Sequence, residues 1–481
     1  MALVTHRPYP HQSSRATRTL ATPFVAVMLL VATGCVLKDP PDAQTIKAQG
    51  MPEVTLPGQW TAAGAGTGAV ANSWLSSFRD DQLSHAVSEA LAYNADLRVS
   101  AARVEQALLY AKLAGAKLYP SVDILARGGG KMSGDNSGLQ GAVLTVGWEI
   151  DIWGRVRYGR AAASADAASA QVDFEYARQS LASLVAKSWF LATEAGLQAE
   201  VARATIRDGE ELVRLAEARS KVGVGNDEDI FVARASVGTY RDAVRQIELG
   251  REQAVRALEL LLGRYPAATA DITPQLPGQP DAVPTGLPSE LLERRPDVIA
   301  AERRVAAAFN RVHEAKAARL PAIALTTGVS SISSDLFELQ SHDNPVWNFG
   351  ANLLAPVFRG GALKTQVEIR TAEQKQSVAA YAAVGLRAFG EVENALSAEI
   401  AAREREQILV QALADNQRAL DVVRTQFKVG STDLRFVTQR QLALQTTQSA
   451  LIRMQAEQRV QRVNLHLALG GSFELRPATP Q

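Results

Sequence analysis

Residues 141–155 read GAVLTVGWEIDIWGR, a stretch of alternating β-type residues that ends in Trp-Gly-Arg. The 66 residues from Arg155 to Ser220 contain no proline and are rich in Ala, Leu, Glu and Arg, which favours one continuous helix. At a rise of about 1.5 Å per residue, such a helix reaches on the order of 100 Å. A short strand followed directly by a very long helix is the pattern that decides the fold.

The same pattern occurs twice in the chain. In each half an Arg-Val pair precedes a proline by 17 residues, at Arg103 and Pro120 and at Arg304 and Pro321. In each half a Lys-Val-Gly turn follows the long helix, at 221–223 and 428–430. We therefore predict an internal two-fold repeat.

Each half is predicted to hold a β-hairpin followed by a long α-helical hairpin. The predicted strands are 118–127, 141–153, 323–332 and 346–358. The predicted helices are 155–220, 226–264, 361–427 and 431–469. The full division is a signal peptide (1–34), an extended lipid-anchored segment (35–73), a first repeat (74–265), a Pro-rich connector (266–296), a second repeat (297–471) and a tail (472–481).

The predicted strands are long enough to cross a bilayer, because a tilted transmembrane strand needs about 9 to 11 residues. Aromatic residues lie in or near them, as in an interfacial girdle or, alternatively, in the core of a soluble sheet: Trp148, Trp153, Trp347, Phe349 and Phe358. Four strands cannot close a membrane barrel, whose smallest form has about eight, and open edges in lipid leave backbone groups unpaired. We therefore expect an oligomer, whose subunit number these patterns leave open.

The first 35 residues have the features of an export signal. Three arginines and no acidic residue precede a short apolar run at 21–32. This run is shorter than the roughly 20 residues that a membrane-spanning helix needs. It leads to Cys35, the only cysteine, and we predict that this thiol is lipidated; ordinary cleavage near Ala32 is the alternative. Val36 stands where Asp usually retains a lipoprotein at the inner membrane, which favours the outer membrane.

Charge and motif content exclude several classes of function. Without the signal the chain has 48 basic and 50 acidic residues, so it lacks the positive excess that nucleic-acid binding needs. The four remaining histidines stand alone in sequence, without a second His or a Cys at ligand spacing, and we expect no metal and no cofactor. The sequence has no GxxxxGK[ST] nucleotide-binding motif and no evident catalytic constellation, so we expect no enzyme activity.

Two charged motifs are predicted to begin helices. The acidic run 226–229 lacks the 12-residue loop of a calcium site, and acids in a first helical turn complement the helix dipole. The run Arg294-Arg295-Pro296-Asp297 places proline at a first helical position. Its arginines are expected to pair with acids such as Glu290 or Glu302, although binding of a phosphate is an alternative.

Four stretches carry a family resemblance: WEIDIWGR at 148–155, GLPSELLERRPDV at 286–298, EVENAL at 391–396 and ALGG at 468–471. In this order and spacing, the chain resembles the TolC-like outer-membrane efflux channels, and within them the OprM-type lipoprotein branch, from about Trp74 to Gly471. The resemblance implies a mainly α-helical homotrimer with a 12-strand membrane β-barrel and a long α-helical barrel in the periplasm.

This resemblance also implies a function. The chain would be the exit duct of a tripartite pump, passively conducting drugs or other small molecules. Its partners would be a periplasmic adaptor protein and an inner-membrane resistance-nodulation-division transporter, which supplies the energy. A soluble periplasmic coiled-coil scaffold or adaptor would also account for the long helices, but it would not need four strands of membrane length.

Candidate site residues follow from the turns. The strand-to-helix junctions Gly154-Arg155 and Gly360-Gly361 need the backbone angles of glycine. The turns after the long helices are expected to form the periplasmic tip and to contact the adaptor, through Gly223, Gly225, Gly430 and Asp433.

The periplasmic aperture departs from the family pattern. Relatives have Leu five residues and Asp nine residues after the glycine equivalent to Gly430, whereas this chain has Arg435 and Gln439. In a trimer, three guanidinium groups near the axis would favour anions. Alternatively, Arg435 pairs with an acid such as Asp421 or Asp433.

Overall fold

The proline-free stretches form very long continuous helices in the computed structural model, which describes residues 37–62, 70, 72–127, 140–278, 283–333 and 346–473. The described residues divide into two compact units. The strand unit takes in the described parts of Met1–Pro41, Ala111–Ala163 and Ala308–Glu373. The helical unit takes in the described parts of Asp42–Tyr110, Ser164–Ala307 and Gln374–Gln481.

The strand unit contains one antiparallel sheet in the order β1 (Ser121–Arg127), β2 (Gln140–Ile150), β3 (Ala322–Ser333) and β4 (Val346–Leu354). Strands β2 and β3 come from different halves of the chain, yet they pair along their full length, with Trp148 opposite Leu325. The two predicted hairpins are therefore joined into a single four-stranded sheet.

The strands are shorter at their outer ends than the predicted 118–127, 141–153 and 346–358. Strand β2 stops at Ile150 because the next residue, Asp151, uses its carboxylate to accept hydrogen bonds from the first turn of the following helix. Pro120 and Pro356 flank β1 and β4, and proline has no N–H to donate to a sheet. The predictions extended these strands into their flanking turns.

Two pairs of helices match closely in length. Helices α4 (Arg155–Lys221) and α8 (Ala362–Lys428) have 67 residues each, and helices α5 (Asp227–Leu261) and α9 (Leu434–Ala468) have 35 each. Helix α5 ends before the predicted residue 264 because Gly263 has a φ of 77° and lies against the Tyr93 carbonyl. No helix in the described part of the chain is long and apolar enough to cross a membrane.

The remaining described helices are shorter: α1 (Ala43–Gly50), α2 (Asp81–Tyr93), α3 (Ala95–Ala116), α6 (Leu291–Arg294) and α7 (Pro296–Ala317). Short 3₁₀ turns lie at Trp74–Phe78 and Pro288–Glu290. The segment 35–73 was predicted to be extended, and α1 corrects that prediction. Helix formation there follows from burial, because Ile46 and Met51 join a core with Tyr381 and Val392.

The chain after α1 is fastened to helix α8 by a half-buried carboxylate. The Glu393 carboxylate accepts the backbone N–H groups of Thr61 and Ala62, each at 2.8 Å. Trp60 is buried beside them and donates its indole N–H to the Thr285 carbonyl at 3.3 Å. Although opposing burial is the largest influence, these hydrogen bonds lower the pKa of the Glu393 carboxyl. The N-terminal segment is thus part of the helical unit's core.

Candidate functional site

The first strand-to-helix junction is organised by acids at the end of β2. The Asp151 carboxylate accepts the backbone N–H groups of Val156 at 3.0 Å and Arg157 at 2.9 Å. Arg155 forms two hydrogen bonds with Glu149, Nε to Oε1 at 3.0 Å and Nη2 to Oε2 at 2.5 Å. Glu149 and Asp151 are two residues apart, so the alternation that makes the strand also brings both acids toward the start of α4.

Glycine backbone angles turn the chain at both junctions. Gly154 has a φ of 76°, and Gly360 and Gly361 have φ values of 55° and 84°. These angles lie in the left-handed region, which residues with a Cβ atom rarely adopt. The structure therefore places Gly154, Gly360 and Gly361 at the sharp turns where strands end and helices α4 and α8 begin.

The tip turns close the two helical hairpins. Gly223 and Gly430 have φ values of 74° and 80°, and their N–H groups donate to the carbonyls of Ser220 and Phe427 at 3.0 and 3.1 Å. A Cβ atom on Gly225 would lie 2.9 Å from the Ser220 nitrogen, so only glycine fits there.

The acidic run 226–229 begins helix α5, as predicted. The Asn226 side chain caps the helix by accepting the N–H of Asp229 at 2.8 Å. Burial raises the pKa of the Asp229 carboxyl, and the neighbouring Asp433 adds to this effect while Arg219 opposes it. The two turns therefore lie close enough for their charges to interact.

Arg219 joins the two hairpins at their tips. It lies on α4, and its Nη1 group donates to the Phe427 carbonyl at the end of α8. Its guanidinium carbon is 4.3 Å from the centre of the Phe427 ring. Beside this contact, Leu212, Leu420 and Leu434 are buried in one apolar cluster. The sequence interpretation missed Arg219, because nothing in the repeat marks it: the equivalent position before the second Lys-Val-Gly turn is Gln426.

Three of the four stretches that carry the family resemblance meet around Arg295. This side chain is 2% exposed and forms ion pairs with Asp297 at 2.8 Å and Glu391 at 2.7 Å. It also donates to the Ala468 carbonyl at 3.0 Å. Gly470, with a φ of 68°, packs against the aliphatic part of Arg295, where a Cβ atom would come within 3.2 Å of Cγ.

Pairing with acids is confirmed for Arg295, but its acids are not the expected Glu290 or Glu302. Arg295 pairs with Asp297 and Glu391, whereas Arg294 donates to the Val70 carbonyl at 2.8 Å and to the Asn72 amide oxygen at 3.2 Å. Glu290 accepts the N–H of Leu287 instead, because it caps the short turn before α6. The start of helix α7 at Pro296 agrees with the prediction.

The pattern of motifs and turns corresponds to a known family. The family model described as outer membrane efflux protein matches residues 86–264 and 287–471. The chain belongs to this family. Two separate matches, one in each half, agree with the repeated order of strands and helices.

Known members of the efflux family align over nearly the whole chain. The cation efflux system protein CusC of Escherichia coli K12 is 30% identical over 465 residues, covering 93% of this chain and 98% of CusC. The pyoverdine export outer membrane protein OpmQ of Pseudomonas aeruginosa PAO1 is 30% identical over 447 residues, covering 88% and 92%. The solved outer-membrane channel OprN is 25% identical, with a TM-score of 0.79 over 92% of this chain and 99% of OprN.

These similarities establish the general function. The protein is an outer-membrane efflux channel, and its family works within tripartite efflux systems. The alternative of a soluble scaffold or adaptor is not favoured, because the relatives named above are outer-membrane or efflux components and align over 88% to 93% of the chain.

In this efflux channel the two residues at the predicted aperture are exposed on α9. Arg435 Nη2 lies 3.5 Å from Asp433 Oδ2, and the two side chains are 80% and 67% exposed. An ion pair this exposed contributes little free energy, so within one chain it does little to fix the position of the Arg435 side chain. Gln439, four residues later, is also exposed on the same helix.

Two further site predictions concern metals and lipid. Within the described ranges, no three His, Cys, Asp or Glu side chains are grouped as a metal site. Cys35, the predicted lipid acceptor, lies outside the described residues.

Proposed function

We propose that three copies of this chain form the exit duct of a tripartite pump, with their sheets joined into a 12-strand barrel in the outer membrane. The observation that carries this proposal is the open four-stranded sheet of an outer-membrane channel. Among the described strands, β1 and β4 each pair on one side only. Unpaired strand edges are costly in lipid, so each edge needs a strand from a neighbouring copy.

Apolar side chains on the edge strands support membrane insertion. Trp347 and Phe349 on β4 are 76% and 80% exposed, and Ile124 and Leu125 on β1 are also exposed. Large exposed apolar surfaces mark contact with lipid or with another protein chain. Ile124, Trp347 and Phe349 share one face of the sheet, which meets lipid in the proposed trimer, whereas Leu125 lies on the opposite face.

An internal duplication accounts for the arrangement of elements. The two halves have the same order of helix, hairpin and helical hairpin, with equal lengths of 67 and 35 residues for the paired helices. A trimer would therefore contain six similar helical hairpins, which can pack side by side as a closed ring. The residues 266–296 would connect the two repeats, with a short helix at Leu291–Arg294.

The tip turns are the proposed contact for a periplasmic adaptor protein. Val222, Val224 and Val429 expose apolar side chains beside Gly223 and Gly430. Branched apolar residues that remain exposed at a turn favour contact with another protein. The adaptor would in turn bind an inner-membrane resistance-nodulation-division transporter, which provides the energy for export.

Arg435 and Gln439 are the proposed lining of the periplasmic aperture. With one copy from each of three chains, the guanidinium groups would give the aperture a positive potential and favour anionic cargo. The names of the relatives indicate that family members export different cargo, cations for CusC and pyoverdine for OpmQ. We therefore assign no cargo from similarity and place charge selection at Arg435.

The lipid anchor is proposed at Cys35, the only cysteine in the chain. An acyl chain adds about 0.8 kcal/mol per buried methylene group, while the barrel itself would also hold the protein in the membrane. The protein has no proposed enzymatic activity, and movement of cargo through it would be passive.

Cross-linking after membrane fractionation tests the proposed assembly. The full-length protein, expressed with its signal, is expected in the outer-membrane fraction as a species of three subunits when treated with an amine-reactive cross-linker. A ladder that ends at two or at six subunits would contradict the trimer. Recovery of the protein in the soluble periplasmic fraction would instead contradict membrane insertion.

A further inference from the structure

A notch at the first strand-to-helix junction holds Leu37 and Lys38. Leu37 lies against Gly154 so closely that a Cβ atom there would be 2.9 Å from Leu37 Cδ2. The next residue, Lys38, donates its backbone N–H to the Tyr158 hydroxyl at 2.9 Å. The notch is therefore defined by Gly154, which leaves room for an apolar side chain, and by Tyr158, which accepts a backbone hydrogen bond.

Packing from helix α7 fixes the position of the Tyr158 ring. Tyr158 is 8% exposed and stacks on His313, with ring centres 5.1 Å apart and planes at 22°. The His313 ring in turn packs against Phe309, with ring centres 4.5 Å apart. The next residue after the tyrosine, Gly159, lies against Glu314, where a Cβ atom would come within 2.9 Å of Oε1. The hydroxyl that binds Lys38 is thus held in place by contacts that do not involve the N-terminal segment.

The second junction lacks these features although an equivalent backbone hydrogen bond closes its first helical turn. The N–H of Tyr158 donates to the Gly154 carbonyl at 2.7 Å, and the N–H of Thr365 donates to the Gly361 carbonyl at 3.0 Å. Thr365 thus stands where the first half has Tyr158. Among the described atoms, nothing lies within 4 Å of a Cβ atom built on Gly361. The junction itself therefore requires neither the tyrosine nor a filled notch.

We propose that the Gly154–Tyr158 notch is a docking site for the N-terminal segment Leu37–Lys38, and that it fixes where the lipid-bearing end of the chain meets the end of β2. The proposal rests on acylation of Cys35 for its membrane role. Two residues span at most about 7 Å of extended chain, so Leu37 in the notch leaves an acyl group on Cys35 only a short tether. The lipid and the strand ends are then held at one boundary of the bilayer.

Hydrogen exchange at the Lys38 amide tests the docking directly. The full-length acylated protein in lipid nanodiscs is compared with Tyr158→Phe, which removes the acceptor oxygen and keeps the ring. Loss of one hydrogen bond is expected to speed exchange in the peptide containing Lys38 by about fivefold. Tyr110→Phe is the matched control, because Tyr110 is 59% exposed, and it should leave this exchange unchanged. Equal exchange in all three proteins would overturn the proposal.

A second pair of variants separates the notch from the lipid. Leu37→Ala empties the notch without straining the backbone and is also expected to speed exchange at Lys38. Cys35→Ser removes the acyl group, and Lys38 should stay protected in it if the notch holds the segment. Loss of protection in Cys35→Ser, with unchanged protection in Tyr158→Phe and Leu37→Ala, would show that the lipid alone holds the segment. Fatty-acid labelling of each protein reports acylation separately, so failure of the lipid proposal is distinguishable from failure of docking.

Discussion

Arg219 in the first helical hairpin stacks on Phe427 in the second, with the guanidinium carbon 4.3 Å from the ring centre, and donates to the Phe427 backbone carbonyl. One side chain thus satisfies a carbonyl at the end of α8 and covers the last aromatic ring before the turn. Cation–π contacts of this kind contribute about 0.5 to 2 kcal/mol, in addition to the hydrogen bond.

Arg219→Gln is expected to loosen the contact between the two tips without unfolding the helices. Hydrogen exchange in peptides covering 222–230 and 428–433 should rise together, by about tenfold for a combined loss near 1.4 kcal/mol. Arg214→Gln, an exposed arginine on the same helix, is the control and should have little effect. A rise confined to the first turn would contradict a role in joining the hairpins.

The carboxylate of Glu259 gives the helical unit a defined pH dependence. It is buried and accepts the N–H groups of Ala268, Thr269 and Ala270 at 2.7, 2.7 and 2.9 Å, which holds the turn after α5. Burial opposes ionisation, but these hydrogen bonds outweigh it and lower the pKa of Glu259. The resulting stability is present above the unfolded pKa of about 4.3 and is lost as the pH falls through the lower folded pKa.

Glu259→Gln should therefore destabilise the turn at neutral pH by about 2 kcal/mol and remove its sensitivity to acid. Exchange rates in the peptide 263–271, measured from pH 7 down to pH 3 and corrected for intrinsic rates, provide the comparison. Glu252→Gln is the control, because Glu252 is exposed and pairs with Arg256 on the same helix. If parent and Glu259→Gln respond identically to acid, the carboxylate does not hold this turn.

The long helices and the strands could be predicted from the sequence, because they depend on neighbouring residues: the absence of proline, the turn residues and the alternation of side chains. The absence of proline and the Lys-Val-Gly turns located α4 and α8 to within one residue at each end. Strand ends were less accurate, since Asp151 caps a helix and an alternation pattern does not distinguish a capping acid from a strand residue. Helix α1 was missed because its stability comes from burial of Ile46 against the distant second half.

The contacts between distant residues could not be predicted in the same way. Arg295 pairs with Glu391, 96 positions later, although Glu290 and Glu302 are much nearer in sequence. Which acid is available depends on how α7 and α8 pack, and that information is not contained in the local pattern. Arg219 and Phe427 illustrate the same limit at the tips.

Arg295→Lys tests whether the buried fork of hydrogen bonds is required. Lysine keeps the positive charge but cannot make the two-pronged contact with Asp297 or reach the Ala468 carbonyl in the same geometry. We expect a loss of about 2 to 4 kcal/mol, seen as a lower midpoint of thermal unfolding followed by circular dichroism. Arg303→Lys, at an exposed position on α7, should change the midpoint little. An unchanged midpoint for Arg295→Lys would assign the stability to charge alone.

Acylation of Cys35 is tested by metabolic labelling with a radioactive fatty acid. Cys35→Ser should lose the label completely and mature more slowly, while export of cargo falls less because the proposed barrel still spans the membrane. Ser76→Ala, which leaves the signal region intact, controls for the general effect of substitution. Label that persists in Cys35→Ser would place the lipid elsewhere or exclude it.

The charge of the proposed aperture is tested by substituting Arg435 and its partner. Arg435→Leu should shift the reversal potential of single channels, measured in a KCl gradient, toward cations, because three positive charges leave the narrowest part of the duct. Asp433→Asn should have the opposite effect, since it removes the carboxylate that lies 3.5 Å from Arg435. Arg440→Leu removes an arginine from a different face of α9 and is the matched control. If Arg435→Leu and Arg440→Leu give the same reversal potential as the parent, Arg435 is a surface residue paired with Asp433 and takes no part in ion selection.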